Sequence, residues 1–253
     1  MAQETFLDPP TPDIMKQWQF YFSVLHPASG DTVIDVGCST GDVERFLLRE
    51  YPDIGKIVGV EASQSRYDRA VEKWRKDGEP NRIEFKLADG RKLPFSDDCF
   101  DKAFCAETLE WIDPPIQALR EIYRVLKPKG PAVIIHTDFD TQVFNTQDKK
   151  LSRKVVMAFS DAGPNGQIGR ELYGLCRKAG FQTVEPIIYT LTNTDWQANL
   201  YAYKITQMMT DWLRSKALLS ESEIESWLAD IESQAREDSF FYSVNRYMCR
   251  CLK

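Results

Sequence analysis

A glycine-rich segment near the start of the chain reads Asp35-Val-Gly37-Cys-Ser39-Thr-Gly41-Asp42 and follows a short apolar run. Glycine lets the backbone approach a bound nucleotide-like molecule closely because it has no Cβ. Dinucleotide sites place a pyrophosphate on a G-x-G-x-x-G loop at the start of a helix. This loop reads G-x-S-x-G instead, and an acidic Asp42 at the helix start would repel a pyrophosphate. The loop therefore favours a ligand that lacks phosphate and carries a positive charge.

Two further acidic positions follow in chain order and suit the same kind of ligand. Glu61 ends a second apolar run, roughly 20 residues past the glycines, where an acid can accept hydrogen bonds from both ribose hydroxyls. Asp89 precedes Gly90 after a third apolar run, where a carboxylate can meet an adenine amino group. An Asp-Gly pair by itself is an ordinary turn signal. The order of the glycine loop, Glu61 and Asp89 along the chain is what indicates a nucleoside-containing ligand.

These residues need a sheet whose strand ends meet at one edge, and the apolar pattern predicts one. Short apolar runs, typical of strands buried on both faces, alternate with stretches of helical periodicity. This alternation predicts right-handed crossover units and a parallel sheet. The predicted strands are 33–36, 56–61, 82–88, 100–106 and 132–136, and the predicted helices are 42–50, 64–76 and 114–130.

The pattern changes after residue 140, where helices are predicted over 147–162 and 169–179 and strands over 181–191 and 239–252. The predicted fold class is α/β: a doubly wound, mostly parallel, seven-stranded sheet with helices on both faces and a helical cap inserted between the last two strands. We expect a single domain over 1–253, made of an N-terminal helical cover (1–30), a cofactor-binding core (31–140), the rest of the sheet (141–194 and 238–253) and the cap (195–237).

The composition narrows the classes of function. The 253 residues carry a formal net charge of −6, whereas nucleic acid selects for a basic face, so no nucleic-acid partner is expected. No apolar stretch approaches the ~20 residues that span a bilayer, and the start, MAQETFLDPP, lacks the features of a signal peptide. The six cysteines form no C-x-x-C pair and there are only two histidines, so we predict reduced thiols and no metal site. These features predict a cytoplasmic protein.

Four segments between residues 31 and 137 resemble the class I S-adenosylmethionine-dependent methyltransferases, especially the group related to ubiquinone and menaquinone methyltransferases. The segments read VIDVGCSTGD, VGVEAS, ADGRKLPFSDDCFD and LREIYRVLKPKGPAVII. The resemblance implies a Rossmann-like fold and S-adenosylmethionine as cofactor, which carries a positive charge and no phosphate. Two positions depart from the family pattern: Ser39 stands at the middle glycine, and Lys129 delays the glycine that usually follows Pro128.

The resemblance also implies cofactor contacts at the ends of the first four strands. The implied contacts are Asp35, Gly37, Ser39 and Gly41 at the methionine end, Glu61 and Ala62 at the ribose, Asp89 and Gly90 at the adenine, and Ala106 and Glu107 beside the sulfonium.

The methyl acceptor is expected to be a small molecule, whose determinants lie beyond residue 140 where the resemblance is thin. His136 ends the fifth predicted strand and is a candidate general base, because imidazole accepts a proton near neutral pH. Asp138 could orient that ring or contact an acceptor amine or hydroxyl. A histidine at a strand end can equally cap the sheet or hydrogen-bond the backbone without any catalytic role. Aromatic residues of the covering segments can bind an aromatic or cationic acceptor or simply pack the cover: Trp18, Tyr21, Trp111, Trp196, Tyr201 and Tyr203.

Other interpretations stay open from the sequence alone. A protein that binds S-adenosylmethionine without turnover would carry the same loop and acids. The segment Gly37-Cys-Ser39-Thr-Gly41 also matches a hydrolase nucleophile elbow, with Asp113 and His136 in the matching chain order. Few residues precede this loop, however, and the upstream strands of a hydrolase are missing. A nicotinamide-dependent oxidoreductase is disfavoured by the loop. The sequence chooses neither the methylated atom nor an oligomeric state.

Overall fold

A computed structural model of the chain describes residues 9–77 and 82–253. Residues 1–8, which make up most of the segment inspected for a signal peptide, lie outside this description. Within the described ranges, none of the helices combines the length and the apolar character needed to span a bilayer.

The sheet has eight strands in the part of the chain that the structure describes. They are β1 (Thr32–Val36), β2 (Lys56–Glu61), β3 (Ile83–Leu87), β4 (Lys102–Ala106), β5 (Pro131–Thr137), β6 (Val143–Phe144), β7 (Thr183–Asn193) and β8 (Tyr242–Leu252). The strand order is β3-β2-β1-β4-β5-β8-β6, with β7 paired to β8. The pairs β1–β2, β1–β4, β2–β3 and β4–β5 are parallel, and β6 is antiparallel to β8. This arrangement confirms the predicted α/β class. The predicted count of seven strands is wrong, because the two-residue β6 is too short to leave a periodic apolar signal.

The helices follow the predicted alternation along the chain. They are α1 (Pro12–Leu25), α2 (Asp42–Glu50), α3 (Gln64–Asp77), α4 (Pro115–Val125), α5 (Lys149–Ala162), α6 (Ile168–Ala179), α7 (Tyr201–Ser215) and α8 (Glu221–Arg236). The predicted end of α4 at residue 130 is wrong, because Leu126 is already extended with ψ 140° and pairs with Phe100. Pro128 disfavours helical backbone in the residue before it, so the helix stops early.

The middle of the sheet explains why its strands read as continuous apolar runs. Successive residues point to opposite faces of a strand, and both members of three adjacent pairs are at most 1% exposed, so both faces of β1, β4 and β5 are covered: Val33 and Ile34, Ala103 and Phe104, and Val133 and Ile134. Parallel strands of this kind place their carboxyl ends at one edge, which is where ligands bind in open α/β sheets.

The chain divides into two compact units. Unit 1 comprises the described part of Met1–Gln17 together with Thr137–Gly169 and Ile188–Arg246. Unit 2 comprises Trp18–His136, Arg170–Ile187 and Tyr247–Lys253. The glycine loop and all the predicted cofactor contacts lie in unit 2. The expectation of a single domain stays a prediction.

Unit 1 has its own apolar core around α5, α7 and α8. The Trp227 ring packs edge-on against Phe144, with centroids 5.0 Å apart, and its indole N–H donates to Ser152 Oγ. α8 begins with a capping box, in which Ser220 and Glu223 exchange side-chain to backbone hydrogen bonds. The segment between β7 and β8, predicted as a helical cap, contains α7 and α8.

Candidate active site

The glycine loop after β1 is shaped by close contact with the segment after β4. Gly37 has φ +94°, and a Cβ at this position would lie 2.0 Å from Thr108 Oγ1. Gly41 has φ +79°, and a Cβ there would lie 2.7 Å from the Phe85 ring. Both positions therefore require glycine for conformation and for space. The contact with Thr108 brings the end of β1 and the end of β4 together.

Ser39 adopts the left-handed conformation, with φ +51°. This backbone favours glycine, which explains why the family pattern has glycine there. Its N–H donates to Glu61 Oε2 at 3.0 Å, and the Ser63 N–H donates to Glu61 Oε1 at 2.8 Å. The Glu61 carboxylate therefore ties the loop after β1 to the loop after β2, beside Ala62.

Glu61 is 7% exposed, yet its carboxylate is not saturated by these two donors. A carboxylate offers roughly four lone-pair sites, so two further donors can be accommodated. The predicted ribose contact is compatible with this geometry and stays a prediction.

The loop after β3 places Asp89 at the surface next to Gly90. Two guanidinium nitrogens of Arg91 donate to the Asp89 carboxylate, at 3.0 and 2.7 Å, and the backbone N–H of Arg91 donates to the same carboxylate. These hydrogen bonds hold the pKa of Asp89 below its usual value. A Cβ on Gly90 would lie 3.1 Å from Val36, so this loop packs against the end of β1. An adenine amino group would have to share Asp89 with Arg91.

A second pair of acids is buried beneath the glycine loop. Burial raises the pKa of Asp35 to about 7, the Glu44 side chain acts in the opposite direction, and the charge of Glu61 adds to the rise. Burial and the charge of Asp35 raise the pKa of Glu44 well above its usual value. Glu44 is 0% exposed, and its Oε1 lies 2.6 Å from where a Cβ on Gly59 would stand. The Glu44 carboxyl contacts the Asp35 side chain, so the two buried acids form one pair.

Asp42, at the first position of α2, carries its charge in a local ion pair. Lys73 Nζ lies 2.8 Å from its carboxylate, and Thr40 Oγ1 donates to it at 2.8 Å. Lys73 therefore forms an ion pair with Asp42 at the N-terminus of α2, which is where a helix would otherwise bind a pyrophosphate.

The segment after β4 combines strain with acidic side chains. Glu107 has φ +51°, and its N–H donates to the carbonyl of Ile135 at 3.0 Å, which keeps it beside β5. Thr108 Oγ1 donates to the carbonyl of Ala106, and a 3₁₀ helix follows over Leu109–Trp111. Left-handed non-glycine residues cost about 1–3 kcal/mol and cluster at functional sites.

His136 is 0% exposed, and both of its ring nitrogens face protein atoms. The Leu109 N–H donates to Nε2 at 3.2 Å, and Nδ1 lies 2.7 Å from Glu110 Oε2. Because Nε2 accepts, the neutral ring carries its proton on Nδ1, the side of the carboxylate. The angle at Nδ1 falls short of a well-aligned hydrogen bond. One carboxylate oxygen from each of Glu107 and Glu110 lies within 4.8 Å of a ring nitrogen of His136.

The structure thus gathers the predicted cofactor residues at one edge of unit 2. Asp138 lies in unit 1, where it is 0% exposed and accepts the Asp140 N–H at 3.2 Å. The hydrolase interpretation gains no support, because the His136 nitrogens face Leu109 and Glu110. Sequence reasoning missed Glu44 and Glu110. The spacing of Glu110 three residues after Glu107 is the one signal that could have indicated it.

The aromatic residues proposed for the acceptor differ in exposure. Trp18, Tyr21 and Tyr201 are 9%, 1% and 2% exposed, so they serve packing. Trp111 is 50% exposed at the end of the 3₁₀ helix. In unit 1, the rings of Trp196 and Tyr203 lie 4.9 Å apart.

The fold and the edge just described are those of a Rossmann-like α/β domain with a glycine loop at its first crossover. Residues 34–134 match the family model described as "Methyltransferase domain". A demethylmenaquinone methyltransferase of Lactococcus lactis is 30% identical over 175 residues, which cover 62% of this chain and 68% of that protein. The chain belongs to the class I S-adenosylmethionine-dependent methyltransferases, in the group related to ubiquinone and menaquinone methyltransferases. This confirms the resemblance and the expected cofactor, S-adenosylmethionine.

In other comparisons the match covers a smaller share of the related protein. A demethylmenaquinone methyltransferase of Lactobacillus johnsonii is 33% identical over 121 residues, covering 48% of this chain and 50% of that protein. The chain thus spans about half the length of several curated relatives it matches. A solved structure of phosphoethanolamine N-methyltransferase 2 from Haemonchus contortus, in complex with S-adenosylmethionine, has a TM-score of 0.58 at 18% identity. That match covers 94% of this chain and 52% of the solved chain, and it supports the fold.

Proposed function

We propose that this protein transfers the methyl group of S-adenosylmethionine to a small-molecule acceptor. The observation that carries the proposal is the edge in unit 2 where the Gly37 loop, Glu61 and the Glu107 segment meet. Gly37 contacts Thr108, and Glu61 holds the Ser39 N–H. These contacts join the ends of β1, β2 and β4 into one site.

The charges around the loop fit a cationic, phosphate-free cofactor. S-adenosylmethionine supplies an electrophilic methyl group on a positively charged sulfur. Glu61 accepts the Ser39 N–H of the loop and Lys73 is paired with Asp42, whereas the raised pKa values of Asp35 and Glu44 reduce the negative charge of those two buried acids near neutral pH. Glu61 has lone pairs left for two hydroxyl donors. We therefore assign Glu61 to the ribose and the glycine loop to the methionine end.

The catalytic contribution of the chain would come mainly from placing the acceptor in line with the methyl group. Proximity and orientation can supply about 7–11 kcal/mol of such a barrier. We assign His136 to positioning, because its Nε2 accepts the Leu109 N–H and its Nδ1 faces Glu110. His136 thereby fixes the 3₁₀ helix that carries Glu110. The role predicted for Asp138 stays a prediction.

Isothermal titration calorimetry with S-adenosylmethionine tests the cofactor assignment. The native protein should bind one molecule per chain with micromolar affinity, about −8 kcal/mol. Glu61→Gln should weaken binding by about 1–3 kcal/mol, the cost of unpairing buried polar groups. Glu50→Gln is the matched control, because Glu50 pairs with Arg49 at the end of α2. A native protein that binds no cofactor contradicts the proposal.

A second candidate is a protein that binds S-adenosylmethionine without turnover. The observation that favours it is the double engagement of His136, which removes the base expected from the sequence. Transfer of a labelled methyl group to any small molecule separates the two candidates. Cofactor binding without any transfer would favour the binding protein.

A further inference from the structure

The segment after β4 holds a carboxylate pair, Glu107 and Glu110, of which only Glu107 belongs to the predicted cofactor contacts. Glu107 and Glu110 each place an oxygen within 4.8 Å of the other and of a ring nitrogen of His136. His136 is fully buried, and within the described chain its Nδ1 makes no well-aligned hydrogen bond. Glu110 Oε2, also buried, is likewise without one, although it lies 2.7 Å from that nitrogen. Two carboxylates at this distance repel each other, so a bound cation would stabilise the cluster in its charged form.

The tautomer of His136 decides which ligand chemistry fits. The Leu109 N–H donates to Nε2, so the ring proton sits on Nδ1 and the ring offers the cluster no lone pair. Metal ligation by histidine needs that lone pair, and metal-bound imidazole normally donates from its other nitrogen. The cluster therefore presents two carboxylates and an N–H group, which suits an organic cation better than a metal ion.

The cluster lies beside the cofactor loop within unit 2. Thr108, between the two glutamates in sequence, is the residue that a Cβ on Gly37 would overlap. Asp35 lies near the same strand end. Burial raises the pKa of the Cys105 thiol in β4, and the charges of Asp35 and Glu110 add to that rise. Trp111 follows Glu110 directly and is 50% exposed, and indole is the best aromatic partner for an organic cation.

We propose that the acceptor is an amine that enters as its ammonium cation and is bound by the Glu107–Glu110 carboxylate pair. This inference rests on the proposed function. One carboxylate takes a proton from the ammonium and leaves a neutral amine. The amine lone pair forms the N–CH₃ bond, and the electron pair of the breaking C–S bond stays on sulfur. The products are S-adenosylhomocysteine and a methylated ammonium, and the carboxylic acid then loses its proton to solvent.

Labelled methyl transfer tests the class of acceptor. The native protein is incubated with methyl-labelled S-adenosylmethionine and a protein-free, low-molecular-mass cell extract, and the products are separated by cation exchange at neutral pH. The label should appear in a cationic fraction that elutes apart from unreacted S-adenosylmethionine, which is itself a retained cation. Glu110→Gln and Glu107→Gln should each lower the rate about 100-fold, the contribution of a general base. Glu72→Gln, on the exposed face of α3, should leave the rate unchanged.

Calorimetry and a chelator make the outcomes distinct. Cofactor affinity should stay within about twofold of native in Glu110→Gln, a difference well below the 1.4 kcal/mol that marks a tenfold change. Glu110→Asp, which keeps the charge, should recover part of the rate and guards against a folding defect. A native protein that binds no cofactor ends the proposed function itself. Cofactor binding without label in the cationic fraction overturns the amine inference alone. A rate abolished by EDTA and restored by Mg²⁺ also overturns it, in favour of a metal site.

Discussion

The buried Asp35–Glu44 pair predicts a stability cost that grows with pH. Asp35 is 5% exposed, and burial raises its pKa from 3.8 to about 7. The folded protein therefore holds a proton on Asp35 that the unfolded chain releases above about pH 4. The stabilising contribution of that proton is fully present below the unfolded pKa and is lost as the pH rises through the folded pKa. Asp35→Asn removes this titration, so the variant should gain stability relative to the native protein as the pH rises.

The magnitude follows from linkage between the two pKa values. Between about pH 5 and 7, native stability should fall relative to Asp35→Asn by roughly 2 kcal/mol, with little further change above about pH 8. Urea unfolding of both proteins without cofactor, across this range, measures the difference. Asp68→Asn, on the exposed face of α3, is the control and should show no such trend. A native-to-variant difference that is constant with pH would refute a shared, buried proton at Asp35.

Three further substitutions test the glycine loop and the cap of α8. Gly37→Ala should abolish cofactor binding in calorimetry, because its Cβ would lie 2.0 Å from Thr108 Oγ1. Adding Thr108→Gly to that variant should relieve the overlap but not the roughly 1–2 kcal/mol of left-handed strain. Full binding by Gly37→Ala alone would contradict the geometry. Ser39→Gly should raise the free energy of unfolding by about 1 kcal/mol by relieving φ +51°, and a loss of stability in denaturant would count against strain at this position. Ser220→Ala should cost about 1 kcal/mol in the same assay by removing the cap bond to Glu223, and an unchanged midpoint would mean that the cap is not limiting.

The elements around the glycine loop could be predicted from the sequence because their signals are local. The bounds of α2 and β2 agree with the predicted 42–50 and 56–61. The residue type of Gly37 and Gly41 alone indicates a backbone conformation that other residues avoid, and both glycines have positive φ. Local turn chemistry and apolar periodicity carry this information without reference to the rest of the fold.

The acidic clusters could not be predicted, because they depend on packing between distant elements. Glu110 contacts His136 only because β4 and β5 are neighbours in the sheet. The order of strands in a sheet cannot be predicted from the periodicity of apolar residues. Glu44 has the sequence character of a polar residue on an amphipathic helix, yet it is buried, as are Phe46 and Leu47 of the same helix. The candidate base was chosen from the residue type and strand position of His136. Its Nε2 contact with the Leu109 N–H becomes visible only in three dimensions.

The central claim is that a sulfonium nucleoside cofactor binds where the ends of β1, β2 and β4 meet in unit 2. Hydrogen exchange with and without S-adenosylhomocysteine tests this most directly, because ligand contacts slow the opening of the amides they cover. Binding should slow exchange in the glycine loop at 37–41, in the turn at 61–63 and in the segment 106–111, while the exposed face of α3 stays unchanged. Unchanged exchange in all three segments at saturating ligand, or protection confined to other parts of the chain, would contradict the assignment.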